Sequence, residues 1–528
     1  MKKWISIIIT ASFLILTGWF TVFNFPVVYR AVSDSFGKTF SLRDLSADVT
    51  AAMKSDDFFH KDDFINLAGL YGRVSGRRLF NEVIRMKNGM LNYGDMELKP
   101  KGLQISESLA EFSNFVEDRG ARFLYVQFPG KYDRDNLLMP EGLSSQIMKE
   151  ITGLIDLIQR AGVDVLDIRL PFTETPAEIE QYFYRTDHHW RPSAAFTGLR
   201  MILDYLQPFY PEETYTDETL DINNWTIHEL PDQFLGSKGR RVGIYFGGLD
   251  ALEWMTPNFE TDLSFYYPEK QLFLKGDYEK AFIRDEYLDP GRDKMRTDYY
   301  NVYIGGNYPF VQTKNTHALS DQRVLLIHDS FSFPLISFLS LVFREVDSID
   351  PRSYRDMTMT EYADRMRPDL VIMALAPYAD IINDEVFFRF SNGNDALFSE
   401  DSRLITEQTV TLEKSDEDVN FAELNASFEN EKYYTLYVPD VRVTDGEAEA
   451  FSAALYDIET HKTVNETIME TEYCSRFGDC SWTFQTPWTG SENLRLIIYA
   501  GIAGETKGIG LQLPDVRLSE RETIGGTD

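Results

Sequence analysis

Cysteine is nearly absent from these 528 residues; the only two, Cys474 and Cys480, sit close together in EYCSRFGDCSW. That excludes a disulfide framework and a four-cysteine zinc site. The pair is spaced to close one small loop in an oxidising compartment, a local staple rather than a scaffold. Positive charge is also scarce: 52 Lys and Arg stand against 84 Asp and Glu, a formal charge of −32. Such a balance repels nucleic acid, and no nucleic-acid partner is expected. Internal repeats and long low-complexity tracts are missing too.

What is present is a chain able to bury a large core, with 43% hydrophobic and 14% aromatic residues. Its length calls for two or three domains. At the N-terminus Met1-Lys2-Lys3 precedes WISIIITASFLILTGWFTVFNF, an apolar run of about 20 residues, the length of a membrane-spanning helix. Ala31-Val32-Ser33 resembles a signal-cleavage site but lies late, so residues 1–25 read as a single-pass anchor rather than a removed signal. On that reading the bulk of the chain lies outside the cytoplasm.

Residues 26–100 have a mixed pattern and read as a stalk with some helix. From about 101 the pattern sharpens. ISESLAEFSNFVEDRG has helical period, RFLYVQFP reads as a buried strand, SSQIMKEITGLIDLIQRAG as a helix and VDVLDI as a strand. The rhythm returns after 320 with RVLLIHD, SFSFPLISFLSLVF, REVDSID, TEYADRMR and DLVIMALAP. Alternation at this spacing predicts an α/β domain over 101–395 built on a parallel sheet. The stretch 215–320, rich in Gly, Tyr and Asp, reads as a β-rich insertion or cap. Short alternating runs over 400–522 predict a β-sandwich. Trp482 and Trp488 in it are candidates to stack on sugar rings, although alternating aromatics in a sandwich also read as core.

Two motifs carry chemistry. Asp187-His188-His189-Trp190 gathers two of the seven histidines beside a carboxylate. In an extended segment i and i+2 share a face, so Asp187 is expected to orient His189 while His188 faces elsewhere. The second motif is Asp329-Ser330, where a buried strand meets a helix. A serine there stands at the carboxyl edge of a parallel sheet, beside the unpaired N–H groups of a helix start. The competing reading is that Asp329 or Ser330 simply caps the helix. Ser332 is a rival nucleophile inside the first turn. A metal reading of Asp-His-His competes as well, since manganese phosphoesterases use it after a hydrophobic strand. Here FYRT precedes it, and neither metal nor cofactor is expected.

YRTDHHWRPSAAF, FLGSKGRRVG at 234–243, DYYNVYIGGNYPF at 298–310 and RVLLIHDSFSFPLISFL together resemble the DHHW family, extracytoplasmic proteins similar to the SGNH-hydrolase-like alginate O-acetyltransferases. The pieces run in the family's order over most of 85–390. The resemblance implies a flavodoxin-like SGNH sheet, circularly permuted so that the serine block follows the Asp-x-His block. It implies Ser330 as nucleophile, His189 as base and Asp187 as the orienting acid. Asn307 is a candidate oxyanion donor, and Arg352 and Tyr378 are candidate substrate contacts. Many relatives have glycine where this chain has His328. The implied activity is transfer of an acetyl group to a polysaccharide hydroxyl, or its hydrolysis, with a multi-pass membrane acyltransferase as donor partner. The alternative is a non-catalytic glycan-binding or scaffold protein.

Overall fold

The computed structural model describes residues 22–33, 58–93, 102–390 and 403–521, excepting 31, 134, 214, 216–217, 268–271, 355–357, 379–381, 383–384, 414–420, 430–431, 446–449, 472–479, 487–493 and 501–509. The expected anchor is corrected: among the described residues no helix is long and apolar enough to cross a membrane. Residues 1–21 of that segment lie outside the described residues, as does Cys474, the expected partner of Cys480.

Residues 58–93, expected to be stalk, form helix α1 (Lys61–Val74) and three short strands, β1 (Leu79–Phe80), β2 (Val83–Arg85) and β3 (Leu91–Tyr93). Val83 and Leu91 bury against Val242 and Phe246, so this segment packs onto the body of the protein.

The body is a sheet of eight strands. Five are parallel, in the spatial order β5 (Val165–Asp167), β4 (Arg122–Gln127), β13 (Leu370–Leu375), β11 (Ser320–His328) and β12 (Phe343–Ile349). The central ones are apolar on both faces, as strands covered by helices must be: every residue of β13 is buried, and so is 324–328 of β11. The sheet then continues antiparallel through β10 (Phe310–Asn315), β8 (Leu263–Tyr267) and β9 (Leu272–Gly276). The expected parallel sheet is therefore mixed, and much of the expected cap extends it at the β12 edge. Only β6 (Trp225–Phe234) and β7 (Asp250–Pro257) stand apart, as an antiparallel pair.

Helices α2 (Gly102–Glu117) and α3 (Ile147–Arg160) pack together, and α4 (Pro192–Leu206) packs against α6 (Phe333–Val342); α5 (Ser237–Val242) is short and α7 (Met359–Met366) meets α2. All ten residues of α6 are buried. Its two serines survive there because each hydroxyl is satisfied: Ser337 bonds Pro334 O and Tyr278 OH, and Ser340 bonds Ile336 O and Thr313 Oγ1.

Beyond residue 402 two antiparallel sheets share one core. One joins β14 (Arg403–Leu412), β16 (Tyr433–Val438), β17 (Arg442–Asp445), β20 (Cys480–Gln485) and β22 (Gly510–Arg521). The other joins β15 (Phe421–Leu424), β18 (Ala450–Asp457), β19 (Lys462–Glu470) and β21 (Leu494–Ala500). Leu436, Leu496, Leu511 and Leu518 are fully buried between them. Tyr266 OH donates to Ile468 O at 2.6 Å, tying these sheets to the body.

Leu326, fully buried in β11, tests the weight of the central sheet. Leu326→Ala is expected to cost about 2–5 kcal/mol, because transfer and cavity terms add. A smaller loss in a reversible denaturant titration would mean that the site collapses around the gap.

Candidate active site

β11 ends at His328, and the chain turns at once into a short 3-10 segment, Ser330–Ser332, that leads into α6. Asp329 organises this corner. Its Oδ1 accepts from Phe331 N at 2.8 Å and its Oδ2 from Ala376 N at 2.7 Å, beyond the end of β13. The cap reading of Asp329 is therefore true, and it leaves the Ser330 side chain free for other work. Burial pushes the Asp329 carboxyl up to about 6. His328, in the place of the usual glycine, is buried with Nδ1 2.8 Å from Asp329 O, and burial lowers its basicity.

The second motif arrives from a tight bend between Phe183 and Trp190, which bridge across it. Within the bend, Tyr184 N donates to His189 O. Asp187 Oδ1 lies 2.6 Å from His189 Nδ1, and His189 Nε2 lies 2.8 Å from Ser330 Oγ. Three residues from two distant segments thus form one continuous hydrogen-bonded line. Burial alone would push the Asp187 carboxyl up, but the imidazoles of His188 and His189 outweigh it and hold it well below the usual range.

The expectation that His188 faces away is corrected. The bend is not an extended strand, so alternation does not apply. The two imidazoles lie with centroids 3.8 Å apart at an angle of 36°, and His188 Nδ1 lies 3.1 Å from the same Asp187 oxygen. It also lies 3.0 Å from Ser237 Oγ.

Sequence reasoning missed the groups that hold this bend. Asp250 accepts from Arg185 N, Thr186 N and Thr186 Oγ1. Lys131, fully buried, donates Nζ to Tyr184 O at 3.0 Å and Arg185 O at 3.1 Å; burial pulls its amine down to about 7. Tyr300 lies flat on His189, 3.8 Å away and 6° from parallel, and its OH donates to Phe331 O. Trp190 donates Nε1 to the same carbonyl at 2.9 Å, so the two motifs are joined beside the serine as well as through it. The FLGSKGR segment supplies Ser237 N, which donates to Asp187 Oδ2 at 2.5 Å. Its part in the motif set was legible, but its role was not.

The softer candidates divide. Tyr378 donates to His188 O at 3.0 Å and braces the bend from behind. Arg352 forms a two-pronged ion pair with buried Asp350, at 3.0 and 2.6 Å. Asn307 is exposed and, among the described residues, bonds none of the three aligned groups. The rival Ser332 is fully buried and its hydroxyl has no partner among the described residues. Trp482 is corrected: it is buried in the C-terminal core, 4.4 Å from Phe484, so its face is closed to a sugar. Trp488 lies outside the described residues. Asp187, His188 and His189 place three ligand-type atoms within 4.8 Å of one another. In His189 both ring nitrogens are already engaged, by Asp187 and Ser330.

A mixed α/β body with a serine at the carboxyl edge of its parallel strands is the class these features define. A family model described as the SGNH hydrolase-like domain of acetyltransferase AlgX matches residues 96–220. That stretch carries the Asp187–Trp190 motif and stops short of Ser330, and over it the chain is similar to that domain. The resemblance read from the motifs agrees with that match. Among solved structures, PatB1 of Bacillus cereus with a sulfonyl adduct is 17% identical, covering 59% of this chain and 98% of its own, with a TM-score of 0.47. A DHHW family protein from Eubacterium siraeum is 16% identical, covering 61% and 97%, with a TM-score of 0.44. AlgX of Pseudomonas aeruginosa is 12% identical, covering 83% and 94%, with a TM-score of 0.32. No curated protein matches the chain.

Gly236 offers a direct test of the geometry. A Cβ there would fall 2.2 Å from Asp187 Cβ and 2.5 Å from its Cα, while the backbone, at φ −72°, would accept alanine. Gly236→Ala should therefore displace Asp187 and slow labelling of Ser330 by a phosphonyl fluoride about 100-fold, with the circular dichroism spectrum kept. Gly153→Ala, whose Cβ meets nothing within 4 Å, is the control and should label normally. Equal labelling of the two variants would remove Asp187 from the line.

Proposed function

We propose that Ser330, His189 and Asp187 form an acyl-transfer centre that moves an acetyl group to or from a hydroxyl of a polysaccharide. The observation that carries this is the unbroken line from Asp187 Oδ1 through His189 to Ser330 Oγ, at 2.6 and 2.8 Å. The reading rests on the AlgX-type domain as well. Counted from β11, the parallel strands run 2-1-3-4-5, the order of flavodoxin-like sheets. That supports a circularly permuted SGNH-like sheet.

Ser330 Oγ attacks the acyl carbonyl while His189 Nε2 takes its proton, and Asp187 holds the imidazole by its Nδ1–H. The leaving alcohol recovers that proton from His189. A hydroxyl or water then attacks the acyl-serine by the same path in reverse. The oxyanion needs fixed donors. Phe331 N and Ser332 N are committed to Asp329 Oδ1 and Asp329 O. Ser330 N has no partner among the described residues, which makes it the backbone donor for the oxyanion.

Incubation with p-nitrophenyl acetate and peptide mass analysis tests this reading. One acetyl group is expected on the Ser330 peptide of the wild type, and none in Ser330→Ala or His189→Ala. Turnover should fall by about 10⁴-fold or more in those variants, and less in Asp187→Asn, which loses only the orienting charge. Acetylation that persists elsewhere at the wild-type rate in Ser330→Ala would remove the assignment.

A further inference from the structure

The acyl-transfer reading uses one histidine of the pair, and His188 is left without a task. Its position is specific. Its Nδ1 sits 3.1 Å from Asp187 Oδ1 and 3.0 Å from Ser237 Oγ. The ring lies 3.8 Å from that of His189 and 5.9 Å from that of Phe331, the residue after the nucleophile, with the Tyr378 ring edge-on at 5.6 Å. The two rings are tilted by 36°, with their Nδ1 atoms 3.1 and 2.6 Å from the same carboxylate oxygen. His189 Nε2 meets Ser330. His188 Nε2 has no partner among the described residues and is not among the buried unpaired atoms, and the side chain is 26% exposed against 6% for His189.

A proton on Nδ1, where the neighbouring carboxylate can accept it, leaves Nε2 a bare acceptor. Burial, with His189 alongside, pulls the ring down to about 3, so it stays neutral. The site therefore presents two imidazole acceptors on rings 3.8 Å apart, one of them hydrogen-bonded to Ser330. One acceptor is enough for a lone hydroxyl. Two match a pair of neighbouring hydroxyls.

We propose that His188 is the acceptor-binding residue of this site, and that the group acylated is one member of a vicinal diol whose other hydroxyl donates to His188 Nε2. The inference rests on the acyl-transfer reading above. In the second half-reaction the attacking hydroxyl oxygen bonds to the acyl carbon as the bond from that carbon to Ser330 Oγ breaks. Its proton passes to His189 Nε2 and then to Ser330 Oγ. The neighbouring hydroxyl keeps its own proton and serves only to hold the acceptor in line, where water has no second hydroxyl to use.

The test is partition of one acyl-enzyme between acceptors, a ratio that does not depend on how fast the acyl-enzyme forms. The full chain is acetylated with p-nitrophenyl acetate in the presence of cis-cyclohexane-1,2-diol or cyclohexanol, and ester is measured against free acetate. In the wild type the diol should be preferred per hydroxyl by about fivefold, the worth of one ordinary hydrogen bond. His188→Phe should bring the preference to about one. His188→Gln, which keeps an acceptor oxygen, should restore part of it, and unchanged circular dichroism checks both variants for folding. Transfer with no diol preference in the wild type, or a preference that survives His188→Phe, overturns the inference and leaves the acyl-transfer reading standing. A wild type that forms no acyl-enzyme overturns both.

Discussion

The buried carboxylate of Asp187 is the constraint around which this site is built. It is 1% exposed, and a buried charge without partners costs several kcal/mol. The surrounding chain meets that cost with donors aimed at both oxygens. His189 N and Nδ1 approach Oδ1, and Ser237 N approaches Oδ2. The same bonds fix the imidazole of His189, and with it the atom that faces Ser330. Removing a donor would expose a charge to the protein interior, so the orienting function and the local stability are one requirement.

That requirement explains the insertion. The β6–β7 pair and α5 between them do not roof the sheet; they clamp the bend. Gly236 allows the backbone to come up against Asp187, Ser237 caps its second oxygen, and Asp250 takes the amides of Arg185 and Thr186. Lys131 donates to the carbonyls of Tyr184 and Arg185. The N-terminal strands join in, with Leu91 N donating to Arg185 O. Segments from residue 91 to residue 250 therefore converge on a bend that carries one histidine into position.

The periodicity of the chain made much of this readable. Strands such as LVIMAL and VLLIH are apolar on both faces, and the runs that follow them are helical, so the parallel part of the body and the corner at Ser330 were legible. Asp187 meets His189 although the segment bends instead of extending, and the same bend brings His188 to that carboxylate as well. Lys131 and Asp250 carry no local signal, and Tyr300, though inside the 298–310 motif, carries none for its role. Each is an ordinary residue in its own segment and acquires a role only through contacts across dozens of positions. Trp482 shows the reverse case, an aromatic in an alternating run whose face is spent on the core. Antiparallel extension of the sheet was hidden because β8 and β9 read as insertion until their partner strand is known.

Hydrolysis and transfer differ only in what attacks the acyl-serine, and the base is the same for both. Water is always present, so a transferase has to win by placing the acceptor, since the intrinsic reactivity of a hydroxyl gives it little advantage. The surroundings of Ser330 are suited to placement. Tyr300 lies on one face of His189, Trp190 and Tyr300 both pin the Phe331 carbonyl, and His189 itself is 6% exposed. On the acyl-transfer reading, a base held in this way cannot swing to meet a loosely held nucleophile, so the nucleophile must come to it along one direction. A rigid base of this kind rewards an acceptor with a second point of attachment far more than it rewards water. Of the four ring nitrogens in the His188–His189 pair, the one without a partner among the described residues is Nε2 of His188.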